Sequence, residues 1–242
     1  GKRMNGYIDM HCHILPGADD GARDEAEMKA MLRMAYKDGI RCIIATPHYH
    51  PVHGACSPEI LREKLIQTRQ AAHKIDSRFR IYLGNEIFFE QDLDFLLKKR
   101  EVLSMNRRDY ILIEFSPFDS YFRIRQGLQQ LQFSGYEVIL AHTERYKSII
   151  QNPNTADELF EMGVHIQINA GSICGKAGRE AKKITRYLLD RDLVFCTGTD
   201  AHNTKNRAPL MHKAAEYVSK HYGINTTRRI FFSNAMQMLK KI

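Results

Sequence analysis

At 242 residues, 43% hydrophobic and 26% charged, the chain can bury a substantial core, has an ordinary globular composition and holds no apolar run long enough to span a bilayer. Its formal net charge of +8 suits an anionic partner, yet the lysines and arginines are dispersed along helix-like stretches and no nucleic-acid motif accompanies them. Five cysteines (Cys12, Cys42, Cys56, Cys174 and Cys196) without paired spacing argue against disulfides, and no stretch reads as a signal peptide, so a cytoplasmic protein with no membrane insertion and no nucleic-acid partner is expected.

The first apolar strand runs from Tyr7 to Ile14 and carries Asp9-Met10-His11-Cys12-His13. Residues two apart in a strand share a side, so His11 and His13 reach one point together. Asp19-Asp20-Gly21 follows in the loop and adds a carboxylate; Met28, Met31, Leu32 and Ala35 then keep the one-sided spacing of a helix. A second strand, Cys42 to Pro47, ends at His48, and Ser57-Pro58 supplies a cap followed by proline at the first helical position. Strands from Ile81 to Phe89 and from Tyr110 to Phe115 contain Glu86 and Glu114, Leu128 and Leu131 mark another helix, and Val138 to Ala141 leads into His142. Asn152-Pro153 repeats the cap-and-proline signal before a strand from Val164 to Ile168. The seventh strand, Leu193 to Thr197, runs into Gly198-Thr199-Asp200-Ala201-His202, where strand spacing allows Asp200 and His202 to share one ion. Asn225-Thr226-Thr227 opens a last helix whose buried stripe is Phe231, Ala235, Met238 and Leu239.

Strands separated each time by helices run parallel, and near-continuous apolar strands mean both faces are covered. A barrel of roughly TIM type is favoured over an open doubly wound sheet, since no glycine-rich dinucleotide turn follows the first strand. No linker or repeat divides the chain, which reads as a single domain over residues 1–242. In a parallel barrel the carboxyl ends meet at one face, so His11, His13, Asp20, His48, Glu86, Glu114, His142, Asp200 and His202 converge there. Mixed imidazole and carboxylate donors without a placed cysteine suit manganese, iron or zinc, and a set this large suits two or three ions with bridging groups. Asp9 is expected to orient a histidine from behind.

The stretch from Asp9 through Ile14-Leu15-Pro16-Gly17-Ala18-Asp19-Asp20-Gly21, with Thr46-Pro47-His48, Asn85-Glu86-Ile87, Ile113-Glu114-Phe115, Ala141-His142-Thr143-Glu144-Arg145-Tyr146 and Thr199-Asp200-Ala201-His202, resembles the polymerase-and-histidinol-phosphatase (PHP) superfamily, and within it the bacterial CpsB/CapC/YwqE type of protein-tyrosine phosphatase. The resemblance covers essentially the whole chain. It implies an α/β fold, a distorted TIM-like (β/α)7 barrel of PHP type, with three divalent ions, manganese first and iron or zinc as alternatives. By position, one ion takes His11, His13, Glu86 and Asp200, a second Glu86, Glu114 and His142, and a third Asp20, His48 and His202. The same carry-over assigns Arg145 and Arg207 to catalysis on the phosphoryl group and Tyr121 and Arg123 to substrate contact. It separates Asp200 and His202 onto adjacent ions, against the simpler strand reading. Thr143 and Ala208-Pro209-Leu210 depart from the commonest forms without touching the ligand set.

The implied activity is hydrolysis of phosphotyrosine by a metal-activated hydroxide, opposing a bacterial tyrosine kinase through its tyrosine-rich tail in capsular or exopolysaccharide regulation. A phenolic leaving group, with a pKa of about 10, departs with modest help. A PHP phosphatase of a small phosphomonoester such as histidinol phosphate, or a PHP nuclease, is the alternative. An amidohydrolase shares His-x-His but places a lysine where Glu114 stands, and a non-catalytic scaffold predicts decayed ligands, of which there are none. Cys56 and Arg62 have the Cys-x5-Arg spacing of cysteine-dependent phosphatases, but the intervening Ser-Pro-Glu-Ile-Leu has no glycine and does not suit a phosphate-wrapping loop, so Cys56 is expected to be a plain helix-entry residue. His50 and His53 are expected to be solvated loop residues, and His73, His165, His212 and His221 have no functional assignment.

Overall fold

A computed structural model describes residues 6–240. Its strands are β1 (Tyr7–Cys12), β2 (Ile40–Ala45), β3 (His48–Tyr49), β4 (Arg80–Leu83), β5 (Glu86–Phe88), β6 (Tyr110–Glu114), β7 (Glu137–Leu140), β8 (His165–Asn169) and β9 (Val194–Gly198). The helices are α1 (Glu25–Asp38), α2 (Pro58–Ile75), α3 (Leu93–Lys98), α4 (Tyr121–Phe133), α5 (Lys147–Gln151), α6 (Asn154–Glu161), α7 (Ala170–Ile173), α8 (Arg179–Asp190), α9 (His212–Tyr222), α10 (Ile224–Arg228) and α11 (Asn234–Leu239). All strand pairings are parallel, β1-β2-β4 in one sheet and β3-β5-β6-β7-β8-β9 in the other.

Seven staves were expected and seven are present, two of them in two pieces. Pro47 has no N–H to donate, so the ladder of the second stave stops after Ala45 and resumes at His48. The Pro47 carbonyl accepts from the Glu86 amide at 3.0 Å and from Asn85 Nδ2 at 3.0 Å, which hands the pairing on to β3 and β5. The first and last staves close the ring through a bridge between Cys12 and Ala201, with His13 N donating to Ala201 O at 2.9 Å and Asp200 N to His11 O at 2.7 Å. The result is a distorted (β/α)7 barrel.

Local sequence explains the helices that surround it. Asp24 caps α1 by accepting from Glu27 N, and Gly39, at φ 106°, ends it in the left-handed conformation that side chains disfavour. Met28, Met31, Leu32 and Ala35 are buried as expected, and each of the three larger ones contributes about 1.5–3 kcal/mol of burial. Ser57 and Pro58 start α2 as expected. Helix α6 begins at Asn154, one residue later than Asn152-Pro153 suggests, because Asn152 serves with its carbonyl, which accepts from the amide and hydroxyl of Thr155. The last helical run begins at Ile224 and passes through a π-helical turn, Arg229–Ser233, before α11. Its stripe of Phe231, Ala235, Met238 and Leu239 is buried.

Two apolar layers result. Ile8, Met10, Cys42, Ile44, Leu112, Ile139 and Cys196 pack inside with α11, whereas Ile43, Ile81, Ile111, Ile113, Leu140 and Ile168 pack outward against the helices. Met10 belongs to the inner layer and Cys12 to the outer, and the pairing of β1 with β2 slips between Asp9 and Cys12. That slip exchanges the alternation and aims His11 inward, as irregularities beside active sites do.

Candidate metal centre

The nine expected metal-binding side chains meet at the carboxyl ends of the staves. β1 and the residue after it supply His11 and His13, β3 His48, β5 Glu86 and β6 Glu114, while His142, Asp200 and His202 follow β7 and β9. All are buried except Asp20, whose side chain is 41% exposed. Glu86 is the hub: Oε1 lies 3.1 Å from Nε2 of His11, 3.1 Å from Nε2 of His13 and 3.3 Å from Nδ1 of His48, and Oε2 lies 3.0 Å from Nε2 of His142. Asp200 Oδ1 stands 3.2 Å and 3.1 Å from the same His11 and His13 nitrogens. Glu114 meets His48 at 3.2 Å and His142 at 3.5 Å; Asp20 Oδ1 meets Nε2 of His48 at 3.3 Å and of His202 at 3.2 Å.

Three groups of donors follow, each with its atoms within 4.8 Å of one another: His11, His13, Glu86 and Asp200; His48, Glu86 and Glu114; and His13, Asp20, His48 and His202. The first has the composition expected for one ion. In the second, His48 stands where His142 was expected, although His142 approaches the same two carboxylates; in the third, His13 joins the expected trio. His48 faces both groups, with Nδ1 toward Glu86 and Glu114 and Nε2 toward Asp20.

Asp200 and His202 do not lie in a strand. β9 ends at Gly198 and Asp200 sits at φ 53°, so the two-residue alternation on which a shared ion rests does not apply. Asp200 turns to His11 and His13, while His202 directs Nδ1 to the Asp200 carbonyl at 2.8 Å and Nε2 to Asp20. His142 is also left-handed, at φ 33°. Such conformations cost on the order of 1–3 kcal/mol each and persist where the surroundings over-determine them.

Hydrogen bonds behind the cluster determine which ring nitrogens carry protons. Gln167 Nε2 donates to Ile168 O and Asn169 Oδ1, so its Oε1 is the acceptor for Nδ1 of His11 at 3.0 Å and for the His142 amide at 2.8 Å. His13 directs Nδ1 to Asp19 Oδ2 at 2.7 Å. With both Nδ1 atoms donating, the two rings turn their Nε2 atoms on each other across 3.3 Å, where each offers a lone pair once a metal ion displaces its proton, and two carboxylate oxygens point to the same place. Glu86 Oε1 and His202 Nε2 are buried, and none of these close approaches gives either atom a well-formed hydrogen bond. Lone pairs and orphaned acceptors around one point are what a cation satisfies, so the residues fit metal ions.

Electrostatics agree. Burial pushes the Glu86 and Asp200 carboxyls up, but the facing His11 and His13 rings more than reverse this and hold both well below the usual range. Burial opposes protonation of His48 and His142, yet Asp20 and Glu114 push His48 up to about 9, and Glu114 and Glu86 push His142 up to about 10. His202 moves down, through burial and the charge of His13. This is a site that gathers positive charge, protons or metal ions in competition.

Asp9 does not orient a histidine ring. Its Oδ1 accepts from the amides of His11 at 3.1 Å and Thr199 at 2.8 Å, and its Oδ2 from the Thr199 hydroxyl, so it ties β1 to the end of β9, and the ring-orienting role falls to Gln167 and Asp19. Nothing in Asp19-Asp20-Gly21 distinguishes Asp19 from its neighbour by sequence. Gln167 is a neutral amide inside an apolar strand, and buried amides there need such partners.

Arg145 Nη1 and Arg207 Nη2 each lie 3.2 Å from Asp200 Oδ2, and Asn169 Nδ2 donates to the same oxygen at 3.2 Å. Asp200 thus gives one oxygen to the histidines and the other to the arginines. Both arginines line a cavity of 230 Å³ with Asn169, Ser172 and Lys176. Tyr121 and Arg123 are not brought into this group. The Tyr121 hydroxyl reaches Thr155 O at 3.5 Å, and Arg123 pairs with Asp119 at 3.5 Å. His53 is exposed, as expected of a solvated loop residue, and His50 is partly buried; their rings lie 5.4 Å and 5.9 Å from that of His48. Cys56 Sγ donates to Ala18 O at 3.3 Å, a loop contact of a helix-entry residue.

The profile of the family described as capsular polysaccharide synthesis, CpsB/CapC, matches residues 7–240. Tyrosine-protein phosphatase CpsB of Streptococcus pneumoniae is 33% identical over 237 residues, covering 96% of this chain and 98% of that one. Tyrosine-protein phosphatase YwqE of Bacillus subtilis (strain 168) is 39% identical over 217 residues, covering 89% and 85%. A crystal structure from a study of YwqE from Bacillus subtilis and CpsB from Streptococcus pneumoniae, described as metal-dependent tyrosine phosphatases, superimposes with a TM-score of 0.88 at 36% identity, covering 96% of this chain and 94% of that chain. An organophosphorus hydrolase from Deinococcus radiodurans, at TM-score 0.64 and 12% identity over 98% of this chain and 93% of that chain, shares the fold alone. On the extent of the match and the identity to these relatives, the chain belongs to the CpsB/CapC family.

Proposed function

We infer that this chain is a metal-dependent protein-tyrosine phosphatase, that residues 1–242 act as a single phosphatase domain, and that His11, His13, Asp20, His48, Glu86, Glu114, His142, Asp200 and His202 hold three divalent ions, manganese first and iron or zinc otherwise. The observation that carries the metal assignment is the pair of Nε2 atoms facing each other between Glu86 and Asp200, with the two Nδ1 atoms engaged by Gln167 and Asp19. Bound there, divalent ions supply Lewis acidity toward the phosphoryl group and lower the pKa of water. The chain's own residues do the rest. Arg145 and Arg207 present guanidinium donors to the cavity and take phosphoryl oxygens, where charge grows in the transition state. Asp200 Oδ2 holds the two guanidiniums in place until the substrate's anionic group competes for them. The tyrosyl oxygen, whose conjugate phenol has a pKa of about 10, leaves without a strong general acid. Tyr121 and Arg123, turned to Thr155 and Asp119, are left outside this set.

The substrate proposed is a phosphotyrosine protein, the tyrosine-rich tail of a bacterial tyrosine kinase in capsular or exopolysaccharide regulation, met in the cytoplasm. No helix among the described residues is long and apolar enough to cross a membrane. The test is metal content together with turnover of a phosphotyrosyl peptide, histidinol phosphate and single-stranded DNA by one metal-replete preparation. Preferred turnover of the peptide, abolished by chelation and restored by a divalent ion, is expected. Fewer than about two ions per chain with chelator-resistant hydrolysis would sink the reading.

A further inference from the structure

Away from the metal centre, α2 and the segment before β6 border a half-open cavity of 390 Å³, within the range of about 300–1,000 Å³ typical of small-molecule sites. Arg62, Leu65, Ile66 and Arg69 all line it, spaced so that one face of α2 presents two arginines around two aliphatic side chains. Arg107 lines it from across, and Leu83 and Leu103 complete the apolar wall. Among the described residues no carboxylate forms an ion pair with Arg62, Arg69 or Arg107, in contrast to Arg125, Arg191 and Arg229 elsewhere on the surface. Arg69 spends only Nε, on Ile81 O at 2.8 Å, which leaves its outer nitrogens open. Arg107 is held at φ 58°, directly after Asn106 at φ 50°, and a left-handed non-glycine pair is a costly way to present a side chain.

Three guanidiniums without counter-charges match the oxygens of a dianionic phosphate better than a lone carboxylate, because each guanidinium offers paired donors. Leu65, Leu83 and Leu103 add aliphatic lining beside them, against which an apolar part of the phosphate's carrier can pack. We propose that this cavity is a second anion site, one that takes a phosphate monoester whose carrier includes an aromatic ring. A phosphotyrosine side chain of a protein and a free mononucleotide share that chemistry. The inference is independent of the phosphatase reading, since it is read out by binding and not by hydrolysis.

The test titrates the metal-replete full chain with AMP and, separately, with a peptide carrying non-hydrolysable phosphonodifluoromethyl-phenylalanine, in wild type and in Arg62→Gln/Arg107→Gln. Turnover of p-nitrophenyl phosphate by the double variant, expected to equal that of wild type, reports that its catalytic centre is folded. Binding of AMP, or of a second equivalent of the phosphonate peptide, that weakens at least about tenfold in the double variant supports the site. AMP alone behaving so identifies a mononucleotide site, the peptide alone a phosphotyrosine site, and both a site that reads only the shared chemistry. If neither probe distinguishes the two proteins in affinity or stoichiometry, the proposal is overturned.

Discussion

At Gly198 the last stave lies close against His11 of the first, and adding one methyl there tests the architecture of the site. A Cβ at this position would lie 2.6 Å from His11 Cβ, 3.0 Å from His11 N and 3.2 Å from His11 Cα, against about 3.5–4.0 Å for a relaxed carbon contact. The contacts are with backbone and a Cβ, not with a flexible tip, so β1 and β9 must part by about 1 Å. The parting strains the 2.7 Å bond from Asp200 N to His11 O and pulls Asp200 Oδ1 away from the His11 ring, now 3.2 Å distant. Overpacking of this kind costs about 1–3 kcal/mol, which at about 2–4 °C per kcal/mol for a chain of this size is a modest fall in Tm. Activity is far more sensitive, since a misplacement of about 1 Å costs roughly 10²-fold. Gly198→Ala is therefore expected to fold, to lose bound metal and to show kcat/KM for p-nitrophenyl phosphate down by about two orders of magnitude. Metal analysis, thermal unfolding and steady-state kinetics on one preparation decide the matter. A variant with full metal content and activity within about threefold of wild type would refute the close-approach argument.

Gln167→Ala removes the acceptor of Nδ1 of His11 and of the His142 amide, and is expected to weaken metal binding about 10–100-fold with the fold retained; unchanged metal affinity in a competition titration contradicts this. In the chelated protein, His48 and His142 are raised from 6.5 to about 9 and about 10, so the stability they contribute is present in full below pH 6.5 and lost as pH rises through those values. Metal ions compete with the same protons, so metal affinity rises over that window. Thermal scans should show the chelated protein weakening toward high pH and the metal-replete protein gaining on it; a flat difference between the two rules the linkage out. Cys56→Ser keeps a donor for Ala18 O and should leave phosphatase activity intact, whereas complete loss in a folded variant would favour a thiol nucleophile over the metal centre.

The staves and their metal-binding ends were legible because a histidine or carboxylate at the end of an apolar run is chemically conspicuous, and because so many of them together match a known motif set. What escaped was neutral or conformational. Gln167 and Asn169 sit in an Ile-Gln-Ile-Asn strand and show no charge, yet they connect Asp200 to His11. A glutamine buried in a strand is itself a signal, because it must satisfy both donor and acceptor. Asp19 and Asp20 are indistinguishable as letters; only the fold decides that one buttresses His13 while the other faces His48 and His202. The left-handed turn at Asp200 leaves no trace in a residue that tolerates both hands, and it is what divides Asp200 from His202. The second stave reads as one strand from Cys42 to Pro47, and the break before His48 is a finding of the structure that the missing N–H of Pro47 explains.

The bridge from Cys12 to Ala201 also has a consequence in time. The histidines of the first donor group leave the ribosome about 190 residues ahead of their Asp200 partner, a separation that makes ring closure a long-range, entropically costly step in folding. During synthesis, β1 waits with an unpaired edge and His11 and His13 lack the carboxylate that completes their group. The centre therefore matures only after the barrel shuts, and uptake of the ion by this group becomes a reporter of complete folding, arriving as a late kinetic phase that a chain stopped before Asp200 cannot show.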